Sequence, residues 1–495
     1  MEARKAIESA LHAHPGVRDV LVTDDGSGRV RVYVVPDDVY FDEVLGCSAA
    51  NAALVGKWRK TFDLSQLDQK AASAPVGFNT MGWNSSYTRG PIRLDEMDEW
   101  VENTVGNILR LEPKNLLEIG CGTGMLVLRI APHCARYVAV DQAPAVLARL
   151  REQLRTVPEV AERVEVVESQ AAELQSFSES TFDTVVLSSV VQFFPNFAYL
   201  TKVLEKAISV VRPGGHIYVG DVRSLPLWQL FASSVELFQA PESLPAPELR
   251  GRIQRRLMRE PELLISPAYF LSLPRRFEKI ARVDIRPIRG YSDNEMTRFR
   301  YEAILHIGPG TDPDFDGEFL DHADGDWTLD EIRELLERHR DRAVGIKGIR
   351  NARIERDLAA MEILKGGEDM QTAGDLRRTV EQRAPEGIHP QALLDLENEP
   401  LGFAVFLSWT TCRDDGGYDA FFIPKELLKG STMPAIQWPG PDASQWLHFA
   451  NAPGQGKVRA EFTNQLRELC NGILPAGSAP GEIILVDSLE HGAER

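Results

Sequence analysis

Residues 115–133 read NLLEIG, then CGTG, then MLVLRIAPH, and this stretch decides the fold. An apolar run, a glycine-rich turn and a second apolar run predict a strand, a tight loop and a helix. Within the loop, Gly120, Gly122 and Gly124 let the backbone approach a ligand where side chains would clash. The helix start adds unpaired N–H groups. A dinucleotide fingerprint, G-x-G-x-x-G, needs glycine at position 125, which is Met125 here. Glu118, ahead of the first glycine, would repel a pyrophosphate and suits the ammonium of an amino-acid-like ligand. Asp141 ends the next apolar run, RYVAVD (136–141), where a carboxylate can accept both hydroxyls of a ribose. Tight loops also use glycine for structure alone; it is the ordered set of acid, turn and second acid that points to a ligand.

Outward from this motif, strand-like runs recur at VEVVES (164–169), DTVVLSS (183–189) and HIYVGDV (216–222), separated by helical patterns. That alternation predicts an α/β fold with a parallel Rossmann-like sheet. A late pair, ARVDIRPIRG and RYEAILHIG, would add antiparallel edge strands. Between Trp228 and Phe270 a helical insertion, LWQLFASSVELF and then ELRGRIQRRLMRE, interrupts the sheet where a substrate pocket would be covered. Three blocks result: 1–60, 61–308 and 309–495. The first reads as a helix and two short strands joined through Asp24-Asp25-Gly26-Ser27-Gly28, too small to stand alone. The third opens on an acidic segment without calcium-loop register, read as a solvated linker. It continues with helices at 331–342, 350–365 and 373–382, a hairpin of FAVFLSW and YDAFFIP, a helix (458–470) and the strand EIILVDSL.

The 495 residues, at roughly 150 per domain, allow about three domains. Fifty-five Lys and Arg against 73 Asp and Glu leave a net charge of −18, which argues against a nucleic-acid or anionic-membrane surface. No apolar leader opens the chain and no apolar run reaches about 18 residues, so the expectation is a cytoplasmic, non-membrane protein. Five cysteines lack CxxC spacing, which predicts neither a disulfide framework nor a metal site.

Glu118, the glycine turn and Asp141 together fit S-adenosylmethionine better than NAD, and in this order they resemble the motif set of class I methyltransferases. Arg212-Pro213-Gly214-Gly215 resembles the turn before that fold's fifth strand. The wording is more specific still. Met81-Gly82-Trp83-Asn84-Ser85-Ser86-Tyr87-Thr88, LLEIGCGTGMLVLRIAPHC, VVLSSVVQFFPNFAYL, PGGHIYVGDVRSLPL and NEMTRFRYEAILH resemble the methyltransferase domains embedded in nonribosomal peptide synthetases. The flanks resemble the C-terminal subdomain of an adenylation domain: AIESALHAHPGVRDVLVTDDGSGRVRVYVVPDD at one end and ILPAGSAPGEIILVDSL at the other. Those synthetases insert their methyltransferase into that subdomain, so the chain looks like the insertion with remnants of its host. The tail DSLEHGAER departs from the family, which continues into Asn-Gly-Lys; without that lysine, adenylation is not expected.

The resemblance implies roles. Trp83 and Tyr87 would fold over the cofactor and offer cation–π contact to a sulfonium, or else simply fill the core. Gln170 and Ala171, after Ser169, would sit beside the adenine. Ser188, Ser189 and Val190 would line the cofactor and acceptor sites, with Ser188 where the family usually has Asn. Gln192 would position the acceptor or serve as a cap, and Asp221 or Tyr87 would take a proton from an amine. Arg89 and Arg93 depart from the family's Gly-x-Pro-Ile-Pro; with Arg223 they would hold an anionic acceptor or remain surface charges.

Three functions compete. The arginines and the lack of loading machinery favour carboxyl O-methylation of a small free acid or peptide intermediate. The family's usual chemistry, N-methylation of an aminoacyl group on a carrier protein, comes next. A non-catalytic partner of a synthetase is third, and the intact motif set counts against it.

Overall fold

The computed structural model describes residues 2–24, 30–37, 40, 48–66, 75–174, 177–309, 315–324, 327–366, 371–383, 386–428, 433, 449–451, 453, 455–473, 482–486 and 489. The first hairpin's turn (25–28), Cys47, parts of the acidic segment and most of the final tail lie outside the described residues.

Contacts divide the chain into two units, 1–56 with 195–199 and 452–495, and 57–194 with 200–451. In the first unit the two chain ends share a core. Helix Glu2–His12 and antiparallel strands Val17–Asp24 and Val30–Pro36 come from one end; helix Gln455–Ile473 and strand Glu482–Leu485 come from the other. The last strand pairs in parallel with Val30–Pro36. Ile7, Leu11, Val32 and Val34 pack with Phe462, Leu466 and Cys470. The third sequence block is therefore split, since residues up to 451 belong to the other unit.

The larger unit is built on a seven-stranded sheet: β1 (Asn115–Ile119), β2 (Arg136–Asp141), β3 (Val164–Glu168), β4 (Phe182–Ser188), β5 (Val211–Arg223), β6 (Ile280–Pro287) and β7 (Arg300–Ile307). Their order is β3-β2-β1-β4-β5-β7-β6, with the first five parallel, β7 antiparallel to β5, and β6 antiparallel to β7. β2 and β4 flank β1 on opposite sides, so the chain direction reverses there and leaves a crevice beyond the strands' carboxyl ends, where ligands of such folds bind. The residues Arg212–Gly215 are the start of the long strand β5 rather than a turn before it.

Helix Leu94–Leu109 covers one face of this sheet. Its buried residues Met97, Trp100, Val101, Thr104, Val105 and Ile108 recur at helical spacing. The glycine loop leads into only a four-residue helix, Val127–Ile130, and a 3₁₀ turn, Ala131–His133. Pro132 has no N–H to extend an α-helix, so an N-terminal helix dipole is not the feature that would bind a ligand here.

A second sheet follows: β8 (Gly317–Asp321), β9 (Ala343–Ile349), β10 (Phe403–Ser408) and β11 (Tyr418–Pro424), in the order β8-β9-β11-β10. β8 lies inside the acidic segment read as a linker. Its acidic, glycine-led sequence has poor strand propensity, and parallel pairing with β9 supplies what local preference does not. Helix Leu329–Arg338 joins them, its start capped reciprocally by Thr328 and Glu331. Behind the helical insertion, Leu249 and Ile253 of helix Ala246–Leu257 pack on Ile363 of helix Glu355–Gly366 and Leu376 of helix Ala373–Glu381. The insertion is thus held from behind by the C-terminal block. No helix among the described residues is long and apolar enough to cross a membrane.

Leu466→Ala removes a fully buried side chain from the core shared by the chain ends and should cost about 2–5 kcal/mol. Hydrogen exchange should then quicken in strand Val30–Pro36 while β1 and β4 keep their protection.

Candidate active site

The glycine turn takes its shape from three left-handed residues, Gly120 (φ 82°), Gly122 (φ 53°) and Gly124 (φ 89°). Each does a different job. A Cβ on Gly120 would meet Val190 Cγ2 at 2.5 Å, and one on Gly124 would meet Leu150 Cδ1 at 2.5 Å. A Cβ on Gly122 would meet nothing within 4 Å, because it would project into open space. Two carboxylates border that space. Asp141 accepts the Gly122 N–H at 3.1 Å and the Ala143 N–H at 2.9 Å, so it braces the turn, with lone pairs to spare for a hydroxyl. Glu118 is buried and accepts the Tyr137 hydroxyl at 2.7 Å. Burial pushes the Glu118 carboxyl up to about 7, against the pull of that hydrogen bond. A buried carboxylate with so little compensation favours an added cation.

These groups open onto a cavity of about 430 Å³, within the range of about 300–1,000 Å³ common for small-molecule sites. Its wall includes Trp83, Glu118, Gly120, Gly122, Asp141, Ser188, Ser189, Val190, Gln192 and Arg223, all expected from the sequence. Trp83 fits both of its readings. It lines the cavity and also packs on Trp100 at 4.7 Å within the core. Ser188 Oγ and Gln192 Oε1 are buried without a hydrogen-bond partner among the described residues.

Other expected residues stand elsewhere. Tyr87 does not line the cavity: its hydroxyl lies 3.0 Å from Ser234 Oγ, and its ring packs against Phe238 of helix Trp228–Gln239. Burial pushes it up to about 12, which keeps it protonated at neutral pH and unfit as a base. Gln170 and Ala171 lie outside the wall, after Ser169 donates its N–H to the Asp141 carbonyl at 3.0 Å. Arg89 is exposed and donates to Gln239 at 3.0 Å; Arg93 is exposed and pairs with Asp95. Neither reaches the cavity, because the 83–92 loop doubles back and turns both outward, its hydrogen bonds running from Ser85 N to Gly90 O and from Ile92 N to Trp83 O. Gly124 and Asp221 also stand behind the wall.

Several wall residues escaped the sequence reading. Phe62, from helix Ser48–Ser65, faces Phe193 at 5.1 Å. The insertion contributes Phe231, Arg256, Glu260 and Glu262. Arg223 lies between Glu260 (2.7 Å) and Glu262 (2.6 Å). Arg300 pairs with Asp221 at 2.7 Å and Glu295 at 3.2 Å, and Arg256 pairs with Glu236 at 2.7 Å. Glu295 also accepts the Ser86 N–H at 2.7 Å, which ties the Trp83 loop down over the cavity. Gln153 straps it from another side, accepting the Gly77 N–H at 2.6 Å and donating to the Thr123 carbonyl at 3.0 Å. Glu295 and Arg300 sit within NEMTRFRYEAILH, and an arginine at the mouth of an apolar strand was the available signal.

Comparison with known proteins agrees with this geometry. Residues 117–217 match the model of a methyltransferase domain. The chain is 35% identical over 502 residues to chondramide synthase cmdD of Chondromyces crocatus, an alignment covering 98% of this chain and 12% of that synthase. It is 29% identical over 513 residues to the nonribosomal peptide synthetase agiA of Aspergillus flavus, covering 98% of this chain and 6% of agiA. The chain thus spans a small part of these relatives. Among solved structures, the N-methyltransferase NodS of Bradyrhizobium japonicum is 17% identical, covering 43% of this chain and 97% of NodS with a TM-score of 0.28.

The residues present fit S-adenosylmethionine. Glu118 suits its ammonium, Asp141 its ribose hydroxyls, and the open face of Gly122 gives room for backbone contact. Gly122→Val should abolish binding of S-adenosylhomocysteine in calorimetry and leave the circular dichroism spectrum unchanged. Since Glu118 must be ionised to meet the ammonium, affinity should weaken as pH falls from 8 to 6 through its value of about 7, and Glu118→Gln should flatten that dependence while weakening binding at pH 8.

Proposed function

Starting from a methyltransferase domain of the nonribosomal peptide synthetase type, with S-adenosylmethionine as its cofactor, we propose that this chain methylates the nitrogen of a neutral amine. The amine belongs to an aminoacyl group presented by a carrier protein. One observation carries this reading: each arginine on the cavity wall already has a carboxylate partner, Arg223 with Glu260 and Glu262, Arg300 with Asp221 and Glu295, and Arg256 with Glu236. A carboxylate acceptor would enter without a free counter-charge, at a desolvation cost of several kcal/mol. Arg89 and Arg93, the basis for expecting an acid, point away.

The cofactor supplies a methyl group on a cationic sulfur that departs as a neutral thioether. The protein's task is then alignment and exclusion of water. The Trp83 loop, pinned by Glu295 and Gln153, closes one side of the cavity. Phe62 and Phe193 give an apolar surface that suits the acceptor's side chain. An α-amine titrates at about 7.7–8.0, so a substantial neutral fraction is available near neutral pH without a strong base.

With labelled S-adenosylmethionine, amino acids loaded on a carrier protein should gain one base-stable methyl, read by mass spectrometry. A base-labile methyl on free acids in its place would reject the amine. Arg89→Ala should leave the acceptor's KM within about threefold of wild type, since a surface contact contributes at most a few tenths to 1 kcal/mol.

A further inference from the structure

Ser189 and Asp221 adopt left-handed backbone angles, φ 52° and φ 60°, although neither is glycine. Such conformations persist where surrounding contacts hold them, and they concentrate at functional sites. The contacts here are mutual. Ser189 Oγ donates to Asp221 Oδ2, and the Ser189 N–H donates to the Gly220 carbonyl at 3.2 Å. The same Asp221 oxygen accepts from Arg300 at 2.7 Å, while Oδ1 is buried with no partner among the described residues. Ser189 faces the cavity and Asp221 stands behind it.

A serine hydroxyl has one proton and two lone pairs. With its proton committed to Asp221, Ser189 can present only lone pairs to the cavity. Three residues along the chain, on the same wall, Gln192 Oε1 is a buried acceptor with no partner among the described residues. Ser188 Oγ beside them can donate or accept, so the two groups committed as acceptors leave this part of the wall favouring a donor. A primary amine brings two N–H groups and keeps its own lone pair for the methyl; a carboxylate brings only further acceptors.

We infer that Ser189 accepts a hydrogen bond from the N–H of the methyl acceptor and, with Asp221 behind it, forms the route by which that proton leaves. This rests on the amine reading above. As the nitrogen lone pair forms the new N–C bond, the methyl's bond to sulfur breaks with its electron pair staying on sulfur. The nitrogen, now cationic, gives one proton to Ser189 Oγ while the hydroxyl's own proton passes to Asp221 Oδ2. The product amine is neutral, the serine is regenerated and Asp221 carries the proton. Burial raises Asp221 above the usual carboxylate range, while Arg300 and the Ser189 hydroxyl pull the other way and Glu295 adds to the rise. Tyr218 lies within range of the Asp221 charge, and Arg223 and Glu262 act on its partner Arg300.

Ser189→Gly relieves the strained φ 52°, which glycine adopts more readily than serine, and this offsets in part the loss of the hydrogen bond to Asp221. Its melting temperature should stay close to that of wild type, and calorimetric affinity for S-adenosylhomocysteine should stay within about threefold. Its kcat on amino-acid N-acetylcysteamine thioesters should fall about a hundredfold. At saturating S-adenosylmethionine, which keeps the Glu118 ionisation out of the profile, the acid limb of the acceptor's kcat/KM should lose one ionisation in Asp221→Asn and keep the amine's. Equal rates for Ser189→Gly and wild type on the thioesters would overturn the relay and leave the amine reading standing. Preferential methylation of N-acetyl amino acids, as a base-labile ester, would overturn both.

Discussion

The chemistry of this protein depends on one backbone constraint: a turn after β1 that carries no side chain at Gly122 and is braced by Asp141. The brace and the opening are the same device. Asp141 ends β2 and reaches across to the Gly122 N–H, so the pairing of β1 with β2 positions a carboxylate and a bare stretch of backbone side by side. The short helix that follows contributes little, and charge enters instead through Glu118, whose burial makes it receptive to a cation. The two acids suit the ammonium and the ribose hydroxyls of a nucleoside with an amino-acid end, whereas Glu118 would repel a pyrophosphate.

The rest of the larger unit closes the space above the turn. Glu295 holds the loop containing Trp83, and Arg300 links Glu295 to Asp221. The insertion brings Glu260 and Glu262 to Arg223, converting what looks in sequence like an anion site into a wall with one carboxylate in excess. Helices from the C-terminal block back the insertion, and the pair Arg298–Asp357 connects the Tyr87 region to that block. The cavity wall thus draws on segments far apart in the chain, while Glu118, the glycine turn and Asp141 come from one strand–turn–strand.

That contrast explains how far the sequence could be read. The placement of Gly120, Gly122, Glu118 and Asp141 around one turn was legible because it follows from local turn chemistry and strand order, and the parallel sheet with its late antiparallel pair was legible from alternating apolar runs. Side-chain direction was not. Tyr87 turns toward Ser234 because helix Trp228–Gln239, far along the chain, lies there, and Arg89 and Arg93 face outward because their loop closes on itself through backbone hydrogen bonds that its side-chain pattern does not announce. Glu295 and Arg300 were hidden inside wording recognised only as family resemblance. β8 and β9 escaped because GEFLD is acidic and AVGIKGI carries two glycines, so strand formation there rests on partners that a local pattern does not reveal.

The most direct test of this account is a crystal structure of the chain soaked with S-adenosylhomocysteine. The account predicts the ligand's ammonium within hydrogen-bond distance of Glu118, its ribose hydroxyls on Asp141 and its backbone contacts along Gly120–Gly122. A ligand bound elsewhere, or density in the crevice belonging to a pyrophosphate compound, would contradict it.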